Sequence, residues 1–198
     1  MSETSVASLL TQLSDLYASM DAAYAAASAR HGFHCTGCAE NCCEERLFHY
    51  TLIEQAYLAS GLVMSDRAVR QEIWDRAAVA VKTHGALDKN SFYTRVLCPL
   101  SFEGRCRLYA HRPMICRLHG IPHRLRQGSG RERVFPGCHV FSERRSDGGA
   151  DEVSLDRTEL YVRMAGIERR MRETVGFAGK IKKSVAEMIL DGAGQDDR

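Results

Sequence analysis

The stretch "HCTGCAENCCEER", His34 to Arg46, places four cysteines within nine residues: Cys35, Cys38, Cys42 and Cys43. Cys35 and Cys38 are two residues apart, the spacing at which a tight turn presents both sulfurs to one ion, and Gly37 eases that turn. Cys42 follows Cys38 at one helical turn if the chain is coiling there. Cys43 then diverges from Cys42, by about 100° on a helix or to the opposite side of an extended chain. Adjacent cysteines are awkward as ligands of one mononuclear ion. They suit two sites, one polynuclear cluster, or one ligand beside one packed thiol.

Four more cysteines lie downstream, Cys98, Cys106, Cys116 and Cys138. They fall in a segment, residues 86 to 150, where apolar runs are short and Gly, Pro and Arg are frequent. So long a stretch with little regular structure needs a staple inside a compact domain. Convergence of the two cysteine groups on a metal would provide it, and metal binding would then be part of folding. Buried free thiols account for one or two cysteines, but not for four in nine residues with turn residues between them. The spacing matches neither a zinc ribbon nor the bacterial ferredoxin run, so zinc and iron, including an iron–sulfur cluster, both stay open.

The rest of the chain reads as helical. Leu9, Leu13, Leu16, Met20 and Tyr24 make one apolar stripe on a helix over 4–30, with Gly32 as its stop. A second helix is expected over 44–62, with Glu44 and Glu45 in its first turn. A third runs from an N-cap at Ser65 or Asp66 to a stop at Gly85, burying Ile73, Ala77 and Val81 with Trp74 beside them. A hairpin is expected around "RERVFPGCHVF", a long helix from a cap at Ser154, and a short helical tail over 180–190. The expected fold class is mainly α: a helical domain with an irregular cysteine-rich, metal-stapled segment. One domain is expected over 1–198, with the metal-binding region at 33–140 and a disordered tail at 190–198.

The chain has 198 residues, 44% hydrophobic and 26% charged, which is ordinary for a globular domain. A net charge of +2 gives no overall polyelectrolyte character. The N-terminus lacks the basic region of a secretory signal, and no apolar run approaches a membrane span. A cytoplasmic location without a membrane partner is therefore expected, where thiols stay reduced. The arginines between Arg105 and Arg145 read first as a solvated face, next as charge compensation for thiolates, and last as a nucleic-acid surface. Stacking aromatics are too few to support nucleic acid as a partner. Protein partners are not legible. His34, His111, His119, His123 and His139 lie near cysteines and are candidate mixed-site ligands.

"CTGCAENCC" followed by "CPLSFEGRCRLYAHRPMICRLHG" resembles the YkgJ-type cysteine-cluster proteins, the CxxCxxCC family of zinc- or iron-chelating domains. The matching residues are Cys35, Cys38, Cys42, Cys43, Cys98, Pro99, Leu100, Cys106, Tyr109, Arg112, Pro113, Cys116 and Arg117, with Cys138 similar to a less regular downstream cysteine. Three residues precede Cys42 where the family name has two. The resemblance implies a metal-binding protein whose site is structural or serves metal handling, with zinc or iron as cofactor and the eight cysteines as the ligand set. Through a related cluster in flagellin lysine N-methylases it also admits an iron–sulfur enzyme of redox or protein-modification chemistry. No S-adenosylmethionine fingerprint and no nucleophile–base constellation accompanies it, so enzymatic activity stays open.

Overall fold

The computed structural model describes residues 5–34, 42–86, 96–128, 130–144 and 155–193. Their helices are α1 (Val6–Arg30), α2 (Leu52–Val63), α3 (Arg67–Ala86), α4 (Met114–Leu118), α5 (His139–Arg144), α6 (Thr158–Val175) and α7 (Val185–Ala193). Their strands are β1 (Ser101–Phe102), β2 (Arg105–Cys106), β3 (His123–Arg126), β4 (Glu132–Phe135) and β5 (Leu155–Asp156). The mainly helical expectation holds, and the cysteine-bearing stretches are irregular, built from short turns and two-residue strands. The chain divides into two compact units, Met1–Thr36 with Met114–Val175, and Gly37–Pro113 with Gly176–Arg198.

In the first unit α1 packs against α6 and α4. Its stripe is buried as the periodicity requires: Leu9, Leu13, Leu16 and Met20 have no exposed surface. Leu160, Met164, Ile167 and Met171 of α6 are buried too. The helix stops where glycine allows a left-handed turn: Gly32 has φ +57°, and the N–H groups of Gly32 and Phe33 reach back to the carbonyls of Ala29 and Ser28. β3 pairs antiparallel with β4 and parallel with β5. The expected hairpin therefore exists, but its first strand is His123–Arg126 and the stretch after Phe135 turns into α5. The last long helix begins at Thr158, because Leu155 and Asp156 are taken up by pairing with β3 and an Asp156 carboxylate oxygen accepts from the Thr158 N–H at 3.0 Å. Ser154, expected as the cap, lies outside the described residues.

His123 stacks on Phe135 across the β3–β4 ladder, ring centroids 4.7 Å apart. Burial first, and the nearby Arg157 guanidinium second, pull its pKa down to about 4. The unfolded chain takes up this proton near pH 6.5, whereas the folded chain resists it, so stability must fall as pH drops from about 6.5 towards 4. A His123→Phe variant is expected to lose less stability than the wild type between pH 7 and 4.5. The difference should be about 1 kcal/mol, a fraction of the full shift because the ring is half-exposed. Urea midpoints at the two pH values check this.

In the second unit α7 lies against α2 and α3. Leu58, Leu62, Ile73, Ala77, Ala80, Leu100, Leu108, Val185, Met188 and Ile189 form its core. Within the expected helical tail over 180–190, the helix begins at Val185, packs into the core, and continues to Ala193. The second helix starts at Leu52 and not at Glu44. Thr51 caps it, accepting from the Glu54 N–H at 3.4 Å while its hydroxyl donates to the Glu54 carboxylate at 2.6 Å. Just before, His49 and Lys183 exchange backbone hydrogen bonds at 2.7 and 3.0 Å, which holds the chain extended. Ser184 and Glu187 make the matching capping box at α7. α3 runs through Gly85 to Ala86, one residue past the expected stop.

Candidate metal centre

Six of the eight cysteines are described; Cys35 and Cys38 lie outside the described residues. Cys42, Cys43, Cys98, Cys106, Cys116 and Cys138 are half-buried. Cys42, Cys43, Cys98 and Cys106 belong to the second unit, and Cys116 and Cys138 to the first.

The second unit links its cysteine-bearing stretches through backbone hydrogen bonds. Cys42–Glu44 forms one 3-10 turn, too short to carry the chain away from its neighbours. The Cys98 N–H donates to the Cys43 carbonyl at 2.7 Å, tying the first cluster to the irregular segment. The Ser101 N–H donates to the Cys98 carbonyl at 2.9 Å, which starts the β1–β2 hairpin. That hairpin sets Cys106 opposite Ser101. Cys98 and Cys106 both pack on the hydrophobic core, so their positions are fixed from behind.

The adjacent pair lies in the 3-10 turn Cys42–Glu44. The Cys42 thiol donates to the Cys43 sulfur. This hydrogen bond, helped by one from Ser101 and opposed by burial, lowers the Cys43 pKa to about 7. Cys98 goes the other way: desolvation of its sulfur pushes it up to about 12, and the neighbouring Cys43 and Cys106 add to the rise. Arg76 of α3 acts against it. That guanidinium donates to the Ser101 carbonyl and lies 4.2 Å over the Phe102 ring.

Such a group suits a soft cation. Thiolates are ligands for zinc and iron, and a cation is the missing charge that would ionise Cys98. Among the described residues, however, no three His, Cys, Asp or Glu side chains stand ready around one ion. The Cys42 thiol is engaged with the Cys43 sulfur, and binding a metal takes loss of thiol protons. The donor chemistry fits; among the described residues the cage is not preformed.

In the first unit Cys116 sits on α4 and Cys138 precedes α5. The Cys138 N–H donates to the Gly120 carbonyl at 3.0 Å, just beyond the end of α4. The histidine candidates are partly committed elsewhere: His111 packs on Tyr57 at 4.8 Å and His123 stacks on Phe135. Two arginines of the family-like segment serve packing. Arg112 lies 3.6 Å over Tyr109. Arg117 is buried, paired with Asp21 at 2.6 Å and set 3.9 Å over Tyr17. This corrects the reading of that segment as a solvated face at Arg117. Sequence reasoning missed Arg76 and Ser101, whose roles depend on contacts 25 residues apart and leave no local pattern.

No helix among the described residues is long and apolar enough to cross a membrane. No curated protein and no solved structure matches this chain. The family model described as "Putative zinc- or iron-chelating domain" matches residues 34–133, which takes in seven of the eight cysteines. A match over half of the 198 residues, including the cysteines gathered in the second unit, settles the assignment: the chain belongs to the CxxCxxCC family.

Proposed function

We propose that this is a zinc- or iron-binding protein in which Cys42, Cys43, Cys98 and Cys106 act as thiolate ligands, the site being structural or serving metal handling. Cys35, Cys38, Cys116 and Cys138 are the further candidates. The reading is supported above all by one observation: the Cys98–Cys43 backbone bond, which joins cysteine-bearing stretches far apart in sequence in a region with little regular structure. Bound metal would supply cross-linking free energy there, and binding would be coupled to folding. Arg76 offsets part of the negative charge that a thiolate group accumulates. Ser101 holds the Cys43 sulfur, and the core behind Cys98 and Cys106 limits water access.

Elemental analysis of anaerobically purified protein, with a parallel thiol titration, tests this. The expected result is at least one zinc or iron per chain and fewer than eight reactive thiols until a chelator is added. Metal-free protein that is folded, with all eight thiols titratable, would overturn it.

A further inference from the structure

A cleft of about 410 Å³ lies on the β1–β2 hairpin, lined by Phe102, Glu103, Arg105, Cys106 and Arg107. All five residues belong to the second unit. Cys106 is half-buried, packs on the core and is a near neighbour of Cys98. Glu103, Arg105 and Arg107 are exposed. The cleft therefore leads from solvent to the edge of the thiol group.

Its mouth is positive. Among the described residues neither the Arg105 nor the Arg107 guanidinium has a carboxylate partner. The Arg107 and Arg76 guanidiniums stand 5.8 and 4.2 Å from the centroid of the Phe102 ring. Against these arginines the lining sets one carboxylate, Glu103. Such a mouth repels a hydrated metal dication and draws in an anionic complex. The planar fork of arginine matches a carboxylate bidentately. The volume falls in the range of small-molecule sites.

We propose that the cleft is the port through which metal passes to and from the thiols, and that the carrier is a small anionic molecule bearing several carboxylates, held by Arg105 and Arg107. This rests on the reading of the thiols as a site that serves metal handling. The metal is cargo. On its way out, carboxylate oxygens of the carrier replace thiolate sulfurs, each released thiolate takes a proton from water or buffer, and no electron is transferred.

The test mixes metal-loaded full-length protein with nitrilotriacetate, an anionic chelator, or with tris(aminoethyl)amine, a chelator without carboxylates, and follows the rate of metal loss. Replacing both arginines, Arg105→Gln with Arg107→Gln, should slow loss to nitrilotriacetate at least about fivefold and should not slow loss to the amine. Glu103→Gln should speed loss to nitrilotriacetate. Added salt should slow the nitrilotriacetate reaction of the wild type more than that of the double variant. If the double variant does not fold, Glu103→Gln and the salt series on the wild type with both chelators decide. Equal slowing with both chelators, or no change with either, would overturn the port while leaving the metal site standing. A wild-type protein that holds no metal, as purified or after loading, would overturn the metal-binding reading itself, and the port with it.

Discussion

A Cys98→Ser variant is expected to lose at least about 100-fold in affinity for zinc or iron, or about 2.7 kcal/mol. Supporting residues around metal ligands already cost 10- to 100-fold, and on the proposed reading Cys98 is itself a ligand. Serine nearly preserves volume but offers a hard oxygen in place of a soft sulfur. The metal-free variant should melt close to metal-free wild type, while metal should stabilise the wild type far more than the variant. This pattern separates a ligand from a packed thiol. A packing role would lower the melting temperature equally with and without metal, since Cys98 lies against the core. Isothermal titration together with melting curves before and after chelation makes the comparison.

The second large effect concerns the first unit and no metal. At Gly137 an added Cβ would meet the Gly120 carbonyl oxygen at 2.8 Å and the Phe141 ring at 2.8 and 2.9 Å. The Gly120 oxygen is also the acceptor for the Cys138 N–H, and Phe141 packs edge-on against Phe33 with centroids 5.2 Å apart. A backbone atom cannot yield as a flexible side chain can, so Gly137→Ala should cost about 3 kcal/mol. For a chain of this size that lowers the melting temperature by roughly 6–12 °C. Gly128→Ala is the control: nothing lies within 4 Å of its Cβ position, and the change should be close to neutral.

Much of this architecture is legible in the sequence, and the parts that are not have physical reasons. The stripe of α1 is legible because one helix face is buried along its length, which imposes the periodicity directly. The start of α2 is misread because "EERLFHYTL" has helical composition, while the chain there is held by the capping box at Thr51 and the long-range bridge to Lys183. Helix propensity is a weak prior that such contacts override. The burial of α7 is hidden because a nine-residue helix near the end of a chain looks the same in sequence whether or not it packs. Its capping box, Ser184 with Glu187, was the available signal.

The candidate site divides in the same way. Its cysteines stand out by clustering, and the link between Cys43 and Cys98 follows the expectation that the two groups meet. The hydrogen bond between Cys42 and Cys43 could not be read, because it depends on side-chain rotamers that leave no spacing in the sequence. Neither could Arg76, which arrives from α3, nor the pairing of Arg117 with Asp21. Charge partners far apart in sequence leave no spacing to recognise.

X-ray absorption at the metal edge of the metal-loaded protein tests the central claim most directly. Ligation by thiolates predicts a first shell dominated by sulfur at about 2.3 Å, reduced in sulfur occupancy by Cys43→Ser or Cys98→Ser. A first shell of nitrogen and oxygen alone, unchanged by either substitution, would contradict it.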